Sequence, residues 1–409
     1  MGFAAYASFF LLFVLGVRLA TLLLNLIRFH HWAALARRKR GKPPRVLFLA
    51  SFFPGNAGFE QRVRSWCSIL AQDGFDARWR HAIGGETFIK LLATGRTVEF
   101  QVRFALVRAW QCLEAVLSDA VIVERELLVY NDYGGVFLER FLLALNPRVA
   151  LDFDDDIGAA KREPSKPSTF AKLMLANGRK FHDTLRTYPS FVAGSEYLAS
   201  LVPPDRAAVV VVPTCIDVAR CGRKEYSGHM DPVTFGWIGG IQNLKYLDII
   251  VPALRAIARD RPCRLLVISG RPYECGGAIE VENRPWTYET ETADLLSIDV
   301  GLMPLPQTLI ARGKCGYKQL QYMASSLVGV ASDVGMNREI VTDGTDGFLV
   351  RREEDWEEVL RHVLSRSGSF EDIGRSARRR VEAAYSFEAA RERYTDFVAR
   401  LVQRSGHEA

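Results

Sequence analysis

Short apolar runs alternate with amphipathic segments through the first half of the chain. The runs that predict strands lie at residues 45–50, 77–80, 120–124, 149–153, 191–193 and 207–212. The segments that predict helices lie at residues 59–72, 102–117, 136–145 and 170–185. Strands that are apolar throughout are typical of a parallel sheet covered by helices on both faces. The pattern therefore predicts an α/β domain.

A second alternation of the same kind begins at residue 233. Its strands are predicted at residues 233–238, 265–269, 278–282, 300–303, 328–331 and 348–350. Its helices are predicted at residues 246–259, 290–296, 356–366, 370–384 and 387–402. The polar stretch 220–231 is the predicted linker. We expect two Rossmann-like domains whose sheets turn their carboxyl ends toward a central cleft, where such folds bind ligands.

The amino terminus has a different pattern, being apolar from residue 2 to residue 27 except at Arg18 and Asn25. Such a run is long enough to span a bilayer if Arg18 is tolerated. We therefore predict a membrane-anchor helix at 1–30 and a basic juxtamembrane linker at 31–45. The alternative is a helix that lies in the membrane interface with its arginine reaching the headgroups.

The net charge of +6 belongs to this amino terminus. Residues 1–45 contain eight basic residues and no acidic one; without these eight, the 53 basic residues fall to 45, against 47 acidic residues. The positive-inside rule then predicts that the rest of the chain is cytoplasmic. A nearly neutral body does not indicate a nucleic-acid-binding protein. Seven cysteines without a Cys-x-x-Cys pair predict reduced thiols, with neither disulfides nor a zinc site.

Candidate chemistry concentrates between residues 297 and 350. A loop with Arg312, Lys314 and Lys318 follows an apolar strand and precedes a helix. Fixed cations and a helix N-terminus attract a phosphate group. Lys314 and Lys318 are four residues apart, so they would share one face of a helix that began there. The alternative is a pair of solvated lysines on a surface loop.

Four pieces of this stretch occur in a characteristic order within about fifty residues. They are Asp299 to Leu305, Gly313 to Lys318, Leu320 to Ala324 and Gly335 to Glu339. Together they resemble the nucleotide-sugar-binding end of the group 1 (family four) glycosyltransferases of GT-B fold. The resemblance implies an acceptor domain at 46–222, to which a last helix at 387–404 returns, and a nucleotide-sugar-binding domain at 223–386.

The resemblance also implies a diphosphate site formed without metal by Lys245, Arg312, Lys314 and Lys318. Family members usually place an arginine where this chain has Gly240. Charge that develops on a leaving diphosphate must be neutralised by fixed cations when no metal does so. We therefore expect the lysines of the basic loop to supply the missing charge.

Contacts with sugar and ribose hydroxyls are implied for Gln321, Asn337 and Glu339. The family's pair of glutamates would fall on Gly313 and Gln321, neither of which is a carboxylate. Glu339 matches the glutamate of the family's Gly-Gly-x-x-Glu and is a catalytic candidate. Its alternative is a first-turn charge that stabilises a helix N-terminus.

Four carboxylates lie at the end of the predicted strand at 149–153, in the sequence Asp-Phe-Asp-Asp-Asp from Asp152. Such a cluster needs solvent, cations or raised pKa values. We expect Asp154 and Asp155 to be catalytic and to face the acceptor hydroxyl. The alternatives are the metal-binding Asp-x-Asp of GT-A glycosyltransferases, a dehalogenase-type phosphatase motif, or a solvated acidic loop.

Two further candidates belong to the acceptor side. Arg62 and Arg64 open a predicted helix and diverge by roughly 200° around it, so only one can bind a ligand, and we select Arg62. Glu124-Arg125-Glu126, which closes the strand at 120–124, is a further candidate, and from it we select Glu126.

The sequence thus predicts a membrane-anchored cytoplasmic enzyme of GT-B fold. The resemblance implies transfer of a hexose from a nucleotide-sugar to a hydroxyl, with retention of configuration and no cofactor. The acceptor would be a lipid-linked or polysaccharide intermediate. Because Gly313 and Gln321 replace two carboxylates, the alternative function is an inactive GT-B protein that serves as a membrane-bound binding or assembly partner.

Overall fold

The computed structural model describes residues 3–38, 42–87, 97–128, 135–159, 179–205, 208–226, 230–277 and 279–404. Within these residues, two parallel sheets of six strands each are present. The predicted α/β class is confirmed. The chain divides into two compact units, and each is described by itself.

The first unit comprises Met1–Pro213 and Arg391–Ala409. Its strands are β1 (Arg45–Ala50), β2 (Asp76–His81), β3 (Ala120–Glu124), β4 (Val149–Phe153), β5 (Ser190–Ala193) and β6 (Ala208–Val211). They pair in the order β2-β1-β3-β4-β5-β6. The chain therefore builds outward from β1 in one direction and from β3 in the other, which makes the β1/β3 gap a topological switch point.

The helices of the first unit include a π-helical turn. They are α1 (Phe3–Leu26), α2 (Phe29–Arg38), α3 (Ala57–Phe59), the π-helix Glu60–Arg64, α4 (Ser65–Gln72), α5 (Thr97–Leu113), the 3-10 helix Glu114–Leu117, α6 (Phe137–Leu145), α7 (Lys180–Thr187) and α8 (Glu196–Ala199). The helix predicted at 170–185 falls partly on α7, and its part before residue 179 lies outside the described residues.

The helix α1 lies along the surface of the first unit and contacts α5 and α6. The rings of Phe10 and Phe13 are each nearly perpendicular to the ring of Phe137, with centroids 6.3 and 6.1 Å away. Among the described residues, α1 is the one helix that is long and apolar enough to cross a membrane, judged by length and composition alone.

The second unit comprises Thr214–Ala390. Its strands are β7 (Val233–Ile238), β8 (Cys263–Ser269), β9 (Glu280–Pro285), β10 (Val300–Met303), β11 (Val328–Ser332) and β12 (Phe348–Val350). They pair in the order β12-β11-β10-β7-β8-β9, which is the strand order of a dinucleotide-binding Rossmann fold. The switch point of this sheet lies between β7 and β10.

Helices cover both faces of the second sheet. They are the 3-10 helix Ile241–Ile249, α9 (Val251–Ala258), α10 (Glu291–Leu296), α11 (Leu309–Arg312), α12 (Tyr317–Ala324), α13 (Asn337–Ile340), α14 (Trp356–Ser365) and α15 (Phe370–Ala384). The single helix predicted at 246–259 is thus a 3-10 segment followed by α9. A proline at the second position of α9 suits a helix start, because its missing N–H would have no intrahelical partner there.

The division between the units lies after Pro213, ahead of the predicted boundary at 222–223. Ile216 donates its N–H to the backbone carbonyl that follows α15, at 2.9 Å. Lys224 Nζ lies 2.9 Å from a carboxylate oxygen of Asp299. The stretch predicted as a linker is therefore tied to the second unit in its described part.

The last helix, α16 (Phe387–Gln403), belongs to the first unit from Arg391 onward. The ring of Tyr394 stacks on Trp66 with centroids 4.0 Å apart and planes inclined by 11°. Arg391 forms an ion pair with Asp73 at 2.6 Å. The first unit is consequently built from two separate parts of the sequence.

Candidate functional site

The switch point of the second sheet is held together by a buried tyrosine. The hydroxyl of Tyr322 donates to the carbonyl of Leu302 in β10 at 3.1 Å and accepts the N–H of Ile238 in β7 at 3.3 Å. Open α/β sheets bind ligands outside the carboxyl ends of their strands at such points. The sequence analysis missed this role of Tyr322. Its signal was a tyrosine on the apolar face of a helix, where the hydroxyl must find a partner.

Lys318, in the first turn of α12, lies across the end of β7. Its Nζ is 5.5 Å from the ring centroid of Trp237. A Cβ built on Gly239 would come within 2.5 Å of Lys318 Cε, so the glycine leaves the space that the lysine stem occupies. The side chain is half-buried. The fold thus places a cation and a helix N-terminus together at the β7/β10 switch point.

The start of α12 alters the expected placement of Lys314. The helix begins at Tyr317 after Gly316, whose φ of 69° lies in the left-handed region that glycine tolerates. Lys314 therefore lies in the loop between α11 and α12, and the condition for a shared helix face with Lys318 is not met. The prediction that Lys314 and Lys318 share one helix face is therefore wrong. Both lysines are half-buried.

The loops that follow β10 and β11 pack directly on each other. Gly335 has a φ of 56°, and a Cβ there would lie 2.6 Å from the backbone oxygen of Arg312. A Cβ on Gly316 would likewise meet Ile340 and would lie 3.3 Å from Oδ1 of Asn337. The absence of side chains at these two glycines therefore allows the backbone of the basic loop to pack directly against the loop after β11 and the start of α13.

The predicted sugar and ribose ligands are not equally accessible. Asn337 is 1% exposed and donates its amide to the carbonyl of Ser332 at 3.0 Å, and Gln321 is 4% exposed. Both amides lie inside the fold, and that of Asn337 holds the loop after β11 through Ser332. Glu339 is exposed in the single turn of α13. Arg312 and Lys245 are exposed as well, with Lys245 Nζ 5.3 Å from the Tyr246 ring.

The switch point of the first sheet contains a buried carboxyl that the sequence analysis did not select. The N–H of Ser51, just after β1, donates to the side chain of Glu124 at 2.7 Å, and the Ser51 hydroxyl donates to the Glu124 carbonyl at 2.7 Å. Burial raises the pKa of Glu124 to about 7, against the lowering effect of the Ser51 N–H. A carboxyl with such a pKa can exchange a proton near neutrality.

Arg62 forms a buried ion pair with Asp152 at the end of β4. Its Nε donates to Asp152 at 2.9 Å and its Nη1 to the carbonyl of Val212 at 3.1 Å, while the arginine is 1% exposed. Burial raises the pKa of Asp152 to about 6, and Arg62 opposes that rise. Arg62, predicted to bind the acceptor, is thus enclosed. Its guanidinium is hydrogen-bonded to Asp152 at the end of β4 and to the carbonyl of Val212. Arg64 points outward instead and pairs with Glu60.

Asp154 and Asp155 lie half-buried just after β4. A carboxylate oxygen of Asp155 is 3.9 Å from Arg125, whose guanidinium carbon lies 5.3 Å from the Phe52 ring centroid. Of the two predicted catalytic carboxylates, Asp155 therefore lies beside a cation, just after the carboxyl end of β4.

Glu126, in contrast, is buried. Its carboxylate lies 3.5 Å from Nζ of Lys180, which donates to the carbonyl of Leu128 at 2.8 Å. The candidate Glu126 thus forms an internal ion pair and is not presented to a ligand. Among the described residues, no group of three histidine, cysteine or acidic side chains is arranged to hold a metal ion.

A family model described as "Glycosyl transferases group 1" matches residues 232–366. This range contains β7 to β12, the basic loop and α13, and so the whole candidate site of the second unit. Comparison with curated protein sequences gives no match.

Solved structures resemble nearly the whole chain at low sequence identity. Sucrose-phosphate synthase from Thermosynechococcus elongatus has 14% identity and a TM-score of 0.66, over 88% of this chain and all of the other. Anabaena HepE in complex with UDP and glucose has 11% identity and a TM-score of 0.60, over 87% and 99%. The catalytic domain of starch synthase IV from Arabidopsis thaliana, bound to ADP and acarbose, has 10% identity and a TM-score of 0.60, over 89% and 100%. These similarities show that the chain has the fold of the GT-B glycosyltransferases.

Proposed function

Residues 232–366 match a family model of group 1 glycosyl transferases in a chain of GT-B fold, and from this similarity we propose that the protein transfers a sugar from a nucleotide-sugar to a hydroxyl group. The structural relatives support a nucleotide donor, since HepE is solved with UDP and glucose and starch synthase IV with ADP. The proposed sugar is a hexose, transferred with retention of configuration.

The placement of Lys318 is the observation that carries this proposal. The chain has Gly240 where related enzymes place an arginine, and Lys318 reaches across the neighbouring Gly239 from the first turn of α12. A cation and helix N–H groups at that point would neutralise the diphosphate as it leaves. We assign the diphosphate to Lys318, with Lys245, Arg312 and Lys314 as further cations at the same edge of the sheet.

The proposed reaction breaks the bond between the anomeric carbon and the diphosphate oxygen and forms one to the acceptor oxygen. The acceptor proton passes to the leaving phosphate oxygen, so the step needs neither a strong general base nor a metal. Glu339 is assigned to sugar or ribose hydroxyls because it is exposed. Asp154 and Asp155 are assigned to the acceptor hydroxyl. Gln321 and Asn337 would act indirectly, since their amides are enclosed and that of Asn337 is bonded to the carbonyl of Ser332.

We place the protein at the cytoplasmic face of a membrane, with a lipid-linked or polysaccharide intermediate as acceptor. The support is α1, which is apolar enough to enter a bilayer, followed by basic residues without an acidic one before residue 46. An enzyme held there would meet acceptors carried by lipids.

Calorimetric titration of the full chain with UDP, ADP and GDP, without divalent cations, tests the nucleotide site. We expect one nucleoside diphosphate to bind and Lys318→Ala to weaken its binding by roughly 10- to 100-fold, the loss typical of a charge-assisted hydrogen bond. Arg375→Ala removes the same charge from the exposed face of α15 and should leave the affinity unchanged.

Three outcomes would contradict the proposal in different ways. If no nucleotide binds the wild-type chain, the alternative of an inactive assembly partner, motivated by Gly313 and Gln321, is favoured. Binding that requires a divalent cation would assign the chemistry to the aspartate cluster after β4. Equal losses in Lys318→Ala and Arg375→Ala would mean that only the overall charge of the unit matters.

A further inference from the structure

The helix α1 is apolar on two opposite faces. The buried residues Phe10, Val14, Val17 and Thr21 are spaced by four, three and four, so they form one stripe, which packs on the first unit. The exposed large apolar side chains of the helix are Phe9, Leu11, Leu12, Leu15, Leu19, Leu22, Leu23 and Leu26. At 100° per residue, most of these leucines lie opposite the buried stripe. One face of α1 is thus covered by protein, and the other is left without a partner in the described part of the chain.

This packing determines how α1 can meet a bilayer. The buried stripe from Phe10 to Thr21 covers about three turns, or roughly 16 Å of helix. Contact with α5 and α6 along that length keeps α1 parallel to the surface of the unit. A helix held in this way cannot be surrounded by lipid along its length, as a spanning helix would be.

The neighbouring helix α5 carries a second exposed apolar stripe. Leu106, Trp110, Leu113 and Leu117 follow each other at intervals of four, three and four, the last in the 3-10 turn that continues α5. Trp110 is 70% exposed. Soluble surfaces seldom keep such residues in a continuous row, and a large exposed apolar patch indicates an interaction site. Since α1 contacts α5, the two stripes lie on neighbouring helices of one unit, and we call them together the apolar face.

The charges around the apolar face complement an anionic lipid surface. Arg18 and Asn25, seven residues apart, lie on one flank of α1 between its buried and its leucine-rich faces, and Arg18 is exposed. No acidic residue occurs in residues 1–45, which contain eight basic ones. Trp32, in α2, is 70% exposed, and α2 contacts the 3-10 turn that carries Leu117. Tryptophans beside a basic, acid-free segment are typical of a membrane interface.

We propose that the apolar face docks on an anionic lipid bilayer and that α1 lies in the plane of the membrane without spanning it. The leucines of α1 and the stripe of α5 enter the boundary between headgroups and acyl chains. Arg18 and the basic residues that follow α1 bind the lipid phosphates. This inference concerns the way in which the chain meets the membrane and does not rest on the proposed transfer reaction.

Vesicle flotation of the full chain tests the proposal without any nucleotide. Preformed vesicles of phosphatidylcholine alone are compared with vesicles that also contain phosphatidylglycerol, and we expect tighter binding to the anionic set. The triple variant Leu106→Ser/Trp110→Ser/Leu113→Ser should weaken this binding roughly tenfold or more, because it removes apolar area from the docked surface. Val209→Ser is the matched control, since Val209 is an exposed apolar residue of β6 in the same unit, and should bind like wild type.

Unchanged binding of the triple variant would overturn the proposal, because a spanning α1 would hold the chain regardless of α5. Equal binding to neutral and anionic vesicles would overturn its electrostatic part. Light scattering in the absence of vesicles measures whether the chain is a monomer or a dimer. If the triple variant turns a dimer into a monomer while its vesicle binding is unchanged, the apolar face is an interface between two copies and the proposal fails.

Depth-dependent quenching gives a readout that does not depend on affinity. Bromine placed on the acyl chains quenches tryptophan fluorescence only at short range. The quenching lost in Trp110→Phe reports the depth of this one side chain in vesicle-bound protein. We expect a clear loss, whereas an α5 held away from lipid would give none and would contradict docking through this face.

Discussion

At the scale of single residues, the two buried carboxyls of the first sheet differ in their partners. Asp152 faces the guanidinium of Arg62, whereas the described hydrogen-bond partner of the Glu124 carboxyl is the neutral N–H of Ser51. Burial without a directly bonded cation favours the protonated acid. The sequence could not predict either state. The acidic cluster was evident, but the partner of Asp152 lies 90 residues away along the chain.

The raised pKa of Glu124 predicts a pH-dependent contribution to stability. A pKa of about 7 in the folded protein, against 4.5 for an ordinary glutamate, means that the folded state holds the proton more tightly. The stabilisation is complete below pH 4.5 and is lost as the pH rises through 7. Over this range the unfolded chain gives up the proton first, and the folded state must finally bury the ionised carboxylate. We expect Glu124→Gln to flatten this fall, by up to about 3 kcal/mol at pH 8.

Urea unfolding of wild type and Glu124→Gln at pH values from 5 to 8 measures the difference. Glu353→Gln, at an exposed position of the second unit, is the control and should follow the wild-type curve. A constant offset between Glu124→Gln and wild type across this range would contradict the raised pKa.

At the scale of elements, the strands were predicted closely and the loops at the site were not. The bounds of β7 and β10 agree with the sequence analysis because both are uninterrupted apolar runs that the fold buries completely. The same analysis did not find α11, and it left the start of α12 open. The start of α12 is set by Gly316, whose left-handed backbone suits a glycine and which leaves no room for a side chain against α13, more than twenty residues farther along.

The contact between the loops after β10 and β11 predicts a specific effect of Gly335→Ala. The added Cβ would lie 2.6 Å from the Arg312 carbonyl oxygen, and the alanine would also have to adopt a φ of 56°. We expect destabilisation by more than 1 kcal/mol together with weaker nucleotide binding, because the basic loop is displaced.

Gly344→Ala is the matched control for this substitution. Its φ of 73° imposes a similar backbone strain, but the nearest atom to its Cβ would be a guanidinium nitrogen of Arg366 at 3.5 Å. Denaturation and calorimetric titration of both variants separate strain from close approach. Equal effects on nucleotide affinity would show that the approach of Gly335 to Arg312 does not shape the site.

At the scale of the whole molecule, the sequence predicted two parallel-sheet units with a boundary at 222–223, and the two compact units divide after Pro213. The alternation of apolar runs repeats on either side of residue 230, which is a strong signal for two sheets. The polarity of residues 220–231 suggested a linker, yet Lys224 pairs with Asp299 in the second unit. A hydrophilic stretch does not reveal its partners when they lie far along the chain.

The contribution of α16 to the first unit can be measured through Tyr394. Its buried ring stacks on Trp66, and its hydroxyl lies 3.5 Å from Asp152, so Tyr394→Ala should cost about 3–5 kcal/mol. Hydrogen exchange should show the loss in the amides of β4 and leave those of β10 unchanged. Glu392→Ala, on the exposed side of α16, is expected to change stability by less than about 0.5 kcal/mol. Equal losses in both strands would contradict a local role.

The return of the chain to its first unit at Arg391 has a consequence for synthesis on the ribosome. The second unit is one continuous stretch, whereas the first lacks the partner of Trp66 until Tyr394 has been translated. At roughly 5–20 residues per second, the stretch between Pro213 and Arg391 takes on the order of ten to forty seconds. During that interval the ring face of Trp66 that Tyr394 later covers is exposed in the nascent chain. Chaperones that bind apolar segments would meet the first unit in this state, and a premature stop shortly before Arg391 would leave it open permanently.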